Sequence, residues 1–241
     1  MLIGTWDISN AGARQSNVTF GYSNISNNSE WSRGSPVPFL IKNDVGFKPL
    51  KIVLVVKGSG REEILHRCGE IISHCIDPVE LTLDNYHDRY FCGILKKHST
   101  AERSMKHWHT LTLEFDCYEY GNEIQQTFSG AKEFTVNNTG NLPAASIIEI
   151  TPQIGVASIV LTGICHDYDT GEDMPVTVKE LTTGKKIILD GATGLFTEDG
   201  QLKSPDNIDI WTAPVLLPGN NKITVDSNRM DISVKFRPRF M

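Results

Sequence analysis

The chain has no apolar run long enough to cross a bilayer, and its opening, Met1-Leu-Ile-Gly-Thr-Trp-Asp-Ile-Ser-Asn10, has neither a basic head nor a signal-length hydrophobic stretch. A protein made and kept in a cytosol is expected. Positive charge is also in short supply: the net charge is −6. Thirteen basic residues stand against 15 acidic ones up to residue 125, and 10 against 14 beyond it. Neither half has the basic footprint of a DNA-binding domain. Cysteine is scarce and odd in number, five in 241 residues, which excludes a disulfide scaffold and implies reduced, mostly buried thiols. On one helix Cys68 and Cys75 would lie about 10 Å apart along the axis, too far for a disulfide. Cys92 and Cys117 fall on different predicted strands and could be neighbours, as two free thiols in a core. No nucleophile elbow, phosphate loop, metalloprotease helix or paired-cysteine zinc motif occurs. No repeat or low-complexity tract appears.

What remains is ordinary globular material, 39% hydrophobic and 22% charged, enough for two small domains. The stretch to about Phe39 is polar and reads as loop, notably Asn24 to Ser29 and Ser32 to Pro38. A β-branched run from Phe47 to Val56 predicts a strand. One helix follows, from Arg61 to about Ile76. Ser59 and Glu62 match a capping box, and Asp77-Pro78 stops the pattern. Ile64, Leu65, Cys68, Ile71, Ile72, Cys75 and Ile76 form its apolar stripe. Val79–Leu83, Tyr90–Leu95 and Trp108–Tyr118 read as strands, the last two joined by a long charged loop from Lys96 to Lys106.

From Glu123 onward the helix signal vanishes and short strand candidates recur between turns: 134–136, 147–150, 158–162, 176–180, 186–189 and 195–197. The final pair reads as a hairpin closing a β-sandwich. Leu217-Pro218-Gly219-Asn220-Asn221 supplies the turn, and Met230, Ile232, Val234 and Phe236 share one face of the last strand.

The wording of that end is Trp211, then Pro214-x-Leu216-x-Pro218-Gly219-x-Asn221-x-Ile223, then a strand ending Phe236-Arg237-Pro238-Arg239. It resembles the C-terminal end of distal tail proteins (Dit) of long-tailed bacteriophages. The likeness extends loosely over the chain, through Phe115-Asp-Cys-Tyr-Glu-Tyr120 and Phe134-Thr-Val-Asn-Asn-Thr-Gly140. The expected fold class is mainly β. The resemblance implies an α+β, tail-tube-like ring domain over residues 1–122, with one helix packed on antiparallel strands. A galectin-like or carbohydrate-binding-module-like β-sandwich over 123–241 follows it.

Several residue sets look chemical on paper. His107 and His109 are two residues apart and would share a strand face, but no further metal ligands are spaced to join them, so an exposed pair on a solvated face is expected. His66, Cys68, His74 and Cys75 would not converge on a helix. The acidic loop His166 to Asp173 lacks the glycine and glutamate positions of an EF-hand and reads as a solvated turn. No catalytic residue, cofactor or metal is assigned.

The resemblance implies a non-enzymatic structural protein. It would form a homohexameric ring, single or stacked, that joins the tail tube to the tip around a channel for transiting DNA. Its partners would be the tail-tube protein, a tail-associated tip protein and receptor-binding or baseplate proteins, and no membrane. It would reside in the virion tail tip after synthesis in a bacterial cytoplasm. Closed rings need two different complementary surfaces per protomer. Trp31 and Arg33 in the Asn24–Pro38 loop, and Lys96, Lys97, Arg103 and Lys106 in the charged loop, are the interface candidates. The rival reading is a carbohydrate-binding module recognising host-surface glycans, with Trp211 as its stacking aromatic, although the resemblance favours a structural role for that residue. An esterase or glycosidase would need a dyad that only the fold can reveal.

Overall fold

The computed structural model describes residues 1–30, 33, 36, 39–102, 107–167 and 170–241, with the backbone alone for 27–30 and 39–43. The chain forms two compact units, Met1–Tyr120 with Met241, and Gly121–Phe240.

In the first unit the strands are β1 (Leu2–Ile3), β2 (Trp6–Asp7), β3 (Ala13–Phe20), β4 (Ile25–Glu30), β5 (Phe39–Val45), β6 (Lys48–Lys57), β7 (Val79–Thr82), β8 (Tyr90–Glu102) and β9 (Trp108–Tyr120), with helix α1 (Arg61–Ser73) between β6 and β7. An antiparallel sheet runs in the order β2-β1-β7-β8-β9-β6-β3, and among the described residues β4 and β5 pair only with each other. Alternation builds the core. Leu50, Ile52, Leu54 and Val56 of β6 and Leu111, Leu113, Phe115 and Cys117 of β9 are buried in one cluster with Ile64, Cys68 and Ile71 of the helix.

The helix begins at Arg61, as the sequence implies, but its cap differs. Gly60 is the N-cap, without a side-chain cap bond. Glu63, not Glu62, reaches back to the Ser59 amide at 2.7 Å. The helix also ends at Ser73 rather than near Ile76, and the apolar stripe is narrower than expected. Leu65 and Ile76 are exposed, while Cys75 is buried just beyond the C-cap His74.

Two predicted loops contain strands. The polar N-terminal stretch holds β3 and β4, because an edge strand needs apolar side chains on one face only. Val18 and Phe20 pack toward the core while Arg14, Asn17 and Thr19 stay exposed. The charged loop is strand as far as Glu102. Lys97 to Glu102 pair residue by residue with Glu114 to His109 after a bulge at Lys96. All of 96–102 is exposed, so no hydrophobic period announces a strand held by its backbone bonds to β9. His109 departs from expectation too. It is 6% exposed on the core face of β9, whereas His107 precedes the strand and is exposed, so they are not an exposed pair.

The strands of the second unit's own two sheets are β10 (Ile124–Ser129), β11 (Glu133–Asn138), β12 (Ala144–Pro152), β13 (Val156–His166), β14 (Asp173–Leu181), β15 (Ile187–Asp190), β16 (Phe196–Glu198), β17 (Gln201–Leu202), β18 (Ile208–Asp209), β19 (Val215–Leu216), β20 (Gly219–Val225) and β21 (Met230–Phe236). One sheet runs β10-β21-β12-β15-β16-β17 with β19 on β12, and the other runs β11-β20-β13-β14-β18. The inward residues of both form one core, including Ile148, Ile150, Leu161, Val178, Ile223, Ile232 and Val234. This is a β-sandwich. A bulge in β13 turns at Gly163, with φ +82°, where a Cβ would collide with the Lys222 carbonyl.

The last two strands do not form the expected hairpin. β20 pairs with β11 and β13, and β21 with β10 and β12. Alternation reports which face of a strand is buried but not which strand lies beside it. The Leu217–Asn221 turn is instead a braced entry to β20. Gly219 sits at φ +87°. The Asn221 side chain, 6% exposed, accepts from the Leu217 amide at 2.8 Å and donates toward the carbonyls of Leu217, Gly219 and Val136 at 2.8, 3.0 and 3.4 Å. Asn138 acts similarly. It donates to the Leu142 and Leu216 carbonyls at 3.2 and 3.1 Å and accepts from the Gly140 amide at 3.0 Å.

Candidate partner-binding surfaces

Titratable side chains are spent on structure in both units. Lys48 and Arg89 close on Glu119 in the first. In the second, Glu149 accepts from Lys235 at 2.5 Å and Lys186 at 2.9 Å. Burial pushes the Glu149 carboxyl up, but the two lysines outweigh it and hold it below its usual range. The five cysteines are free. Burial raises the Cys68 thiol, pushes those of Cys75 and Cys165 up to about 11 and pushes that of Cys117 up to about 12, which removes nucleophilic character at neutral pH. Gly93 and Tyr118 lie opposite Cys117 and Cys92 respectively, so the two thiols are on neighbouring strands but point to opposite faces.

The helix set does not converge. His66 and His74 are exposed, and His74 stacks on Trp6 with ring centres 4.2 Å apart. In the acidic turn, Asp167 accepts from the Thr170 amide at 2.8 Å and Asp173 lies 2.9 Å from His166 Nδ1. Among the described residues no group of three metal-ligating side chains exists.

Surfaces are more informative. The face of the first unit's sheet turned away from α1 is lined by the alternate residues Lys51, Val53, Val55 and Lys57 of β6 and Thr110, Thr112, Glu114 and Asp116 of β9. Lys51 pairs with Glu114 at 3.1 Å and Lys96 with Asp116 at 2.8 Å. Beyond Leu95, the outer edge of β8 has no strand neighbour among the described residues. It offers open backbone groups to another strand. The β4–β5 hairpin is also unsupported by a further strand, and its base exposes Tyr22 (85%), Phe47 (51%), Ile25 and Val45.

Of the sequence-nominated residues, Lys96 and Lys97 lie on the exposed end of β8, and Arg33 is exposed at a turn. Trp31, Arg103 and Lys106 lie outside the described residues. Trp211 is 78% exposed in the segment between β18 and β19, so it fills no core. Among the described residues neither outward face of the sandwich carries an exposed aromatic. One presents Thr135, Lys222, Thr224 and Thr162, the other Gln125, Ser233, Glu149 and Lys235. Sequence reading missed Arg14, Lys57 and Trp108 on the helix-free face. The alternation of Lys51 and Lys57 with Ile52, Leu54 and Val56 was the signal that could have found the lysines.

No family model matches the chain, and no curated protein matches it in sequence. Solved structures do match in fold. The crystal structure of the SPP1 Dit protein, described as a paradigm of the hub adsorption apparatus in phages infecting Gram-positive bacteria, aligns with a TM-score of 0.79 at 14% identity. That alignment covers 100% of this chain and 98% of that one. A chain of the phage p2 baseplate, in its activated conformation with Sr, aligns at 0.51 and 11% identity over 96% of this chain and 92% of its own. The fold is therefore Dit-like and mainly β.

Proposed function

We propose that this chain is a non-enzymatic structural component of a phage tail tip, a distal tail protein whose residues 1–122 close into a homohexameric ring between tail tube and tip. Residues 123–241 then offer the docking surface for receptor-binding or baseplate proteins. The observation that carries this reading is end-to-end agreement in fold with a hub protein, over 100% of this chain and 98% of that one. The first unit also has two dissimilar surfaces of the kind a ring contact joins: the open edge of β8 from Lys96 to Glu102, and the β4–β5 hairpin with its apolar base. The virion is the implied location, and transiting DNA, the tube protein and the tip protein are the implied partners.

Light scattering of the purified chain, with negative-stain images of the same peak, tests the proposal. Six-fold rings with a central hole are expected. A chain that remains monomeric alone and in the presence of tail-tube protein overturns it. The exposure of Trp211 favours one alternative, a glycan-binding sandwich. Glycan-array binding that disappears in Trp211→Ala, from a chain that forms no rings, would establish that alternative instead.

A further inference from the structure

We infer that one end of the second unit's sandwich, centred on Trp211, docks an arginine- or lysine-bearing segment of a receptor-binding or baseplate protein. The class of partner rests on the tail-hub reading, and the chemistry of the segment on the side chains gathered there. Trp211 is 78% exposed, yet the backbone that carries it is fixed. The Thr212 carbonyl accepts from the Cys165 thiol at 3.1 Å, and the Pro214 carbonyl from the Ser146 amide at 3.0 Å. Gly191 brings a second connection against this segment, so closely that a Cβ there would lie 2.0 Å from the Pro214 oxygen. The Asp190 carboxylate holds that turn, accepting from the Ala192 and Thr193 amides at 2.8 and 3.2 Å, and the turn ends at the exposed Leu195. The Cys165 bond also sets the Trp211 segment beside the end of β13, where the acidic turn begins.

A large aromatic held rigid in water adds little to the core and is the kind of preorganised anchor on which interface energy concentrates. Charge selects what covers it. Glu172, Asp173 and Asp209 are exposed and Asp167 half-buried on the connections around Trp211, while no lysine or arginine occurs in residues 163–176, 190–195 or 208–217. Elsewhere in the unit Glu133, Glu149 and Glu198 pair with lysines of the chain itself. Asp173 lies 2.9 Å from His166 Nδ1, too bent for a hydrogen bond but close enough for its charge to favour the proton on that nitrogen. His166 Nε2 is then an acceptor, and both it and the Thr212 hydroxyl are buried without a hydrogen-bond partner among the described residues. An indole face, a ring of carboxylates and an unmet acceptor together suit a cationic donor. A guanidinium can stack on the indole while its N–H groups meet the carboxylates. A neutral sugar would leave that charge unanswered.

The test is fluorescence anisotropy of labelled hexa-arginine with the full chain, and hexa-glutamate as the reverse-charge probe. Saturable binding of the first and not the second is expected, weakening as salt is raised. Trp211→Ala, which changes no charge, should weaken it at least about fivefold, and Glu172→Gln/Asp173→Asn/Asp209→Asn at least about tenfold. A charge-matched control at the other end of the strands, Asp199→Asn/Asp226→Asn/Asp231→Asn, should stay within about twofold. The thermal midpoint of Trp211→Ala should stay within about 3 °C of the unmodified chain; a larger fall makes the residue structural and overturns the inference. Absent hexa-arginine binding, unchanged binding in Trp211→Ala, or equal losses in the two triple variants also overturn it. Trp211-dependent glycan-array binding without hexa-arginine binding gives the surface to sugars instead. Single variants replace the first triple if its melt shows it unfolded. Rings that form from a chain indifferent to hexa-arginine sink this inference and leave the hub reading standing. Hexa-arginine binding lost in Trp211→Ala, from a chain that never forms rings, does the reverse.

Discussion

Replacing Asn221 by Ala isolates the energetic worth of the Leu-Pro-Gly-x-Asn segment. The side chain's acceptor serves the Leu217 amide, and its two amide hydrogens are shared among three carbonyls at 2.8 to 3.4 Å. That amounts to three hydrogen bonds. At a net value of about 1 kcal/mol each, their removal costs about 3 kcal/mol. Leu217 and Gly219 are exposed, so water re-satisfies part of the loss and the larger penalty of fully stranded buried groups does not apply. The second unit spans Gly121–Phe240. At about 2.1 cal/mol/K per residue, its unfolding entropy near the midpoint is about 250 cal/mol/K, so 3 kcal/mol corresponds to a fall of about 12 °C. Differential scanning calorimetry of the full chain measures this directly. Asn220→Ala, exposed one position earlier, should move the same transition by no more than about 2 °C. If Asn221→Ala behaves like Asn220→Ala, the brace is dispensable and the segment must be explained by a partner.

The Glu149 carboxyl, held below its ordinary range against the opposing effect of burial by Lys235 and Lys186, stabilises the fold above the unfolded value of 4.5. That contribution is lost as pH falls through the lower folded value. Denaturant midpoints should therefore decline on acidification below about 4.5 and decline less in Glu149→Gln; parallel curves would refute the assignment. For the thiols, a disulfide reagent at mildly alkaline pH should label at most Cys92, the half-buried one, in the native chain, and all five after denaturation. Labelling of two or more native thiols would contradict the burial of Cys68, Cys75, Cys117 and Cys165.

The features legible in the sequence were those that pay in hydrophobic periodicity. Ile64, Cys68 and Ile71 announced a helix lying on a sheet, and Met230, Ile232, Val234 and Phe236 announced the buried side of β21. What stayed hidden was whatever backbone pairing decides without apolar side chains. Lys97 to Glu102 form a strand because β9 lies beside them, and no property of Lys-His-Ser-Thr-Ala-Glu says so. Neighbour identity was equally hidden, which is why β20 and β21 were read as a hairpin when they belong to different sheets. Lys96 and Lys97 stood out as charges in a long connection; Arg14 and Lys57 did not, because their nearness to Trp108 comes from register across three strands. His109 was misplaced because it shares the buried face of β9 with Leu111 and Leu113, while His107 lies before the strand.

The distribution of β20 and β21 between two sheets has a kinetic consequence. Ile124 lies opposite Phe236 and Glu133 opposite Thr224, so the first strands of the second unit find their partners only among its last. Each pairing closes a loop of roughly a hundred residues, an entropic cost met before the pairing returns any stability. On a ribosome, β10 and β11 emerge with exposed edges and wait for most of the unit to be made. The sandwich can close only after Phe236 has left the exit tunnel, and a chain stopped before Gly219 leaves both sheets open.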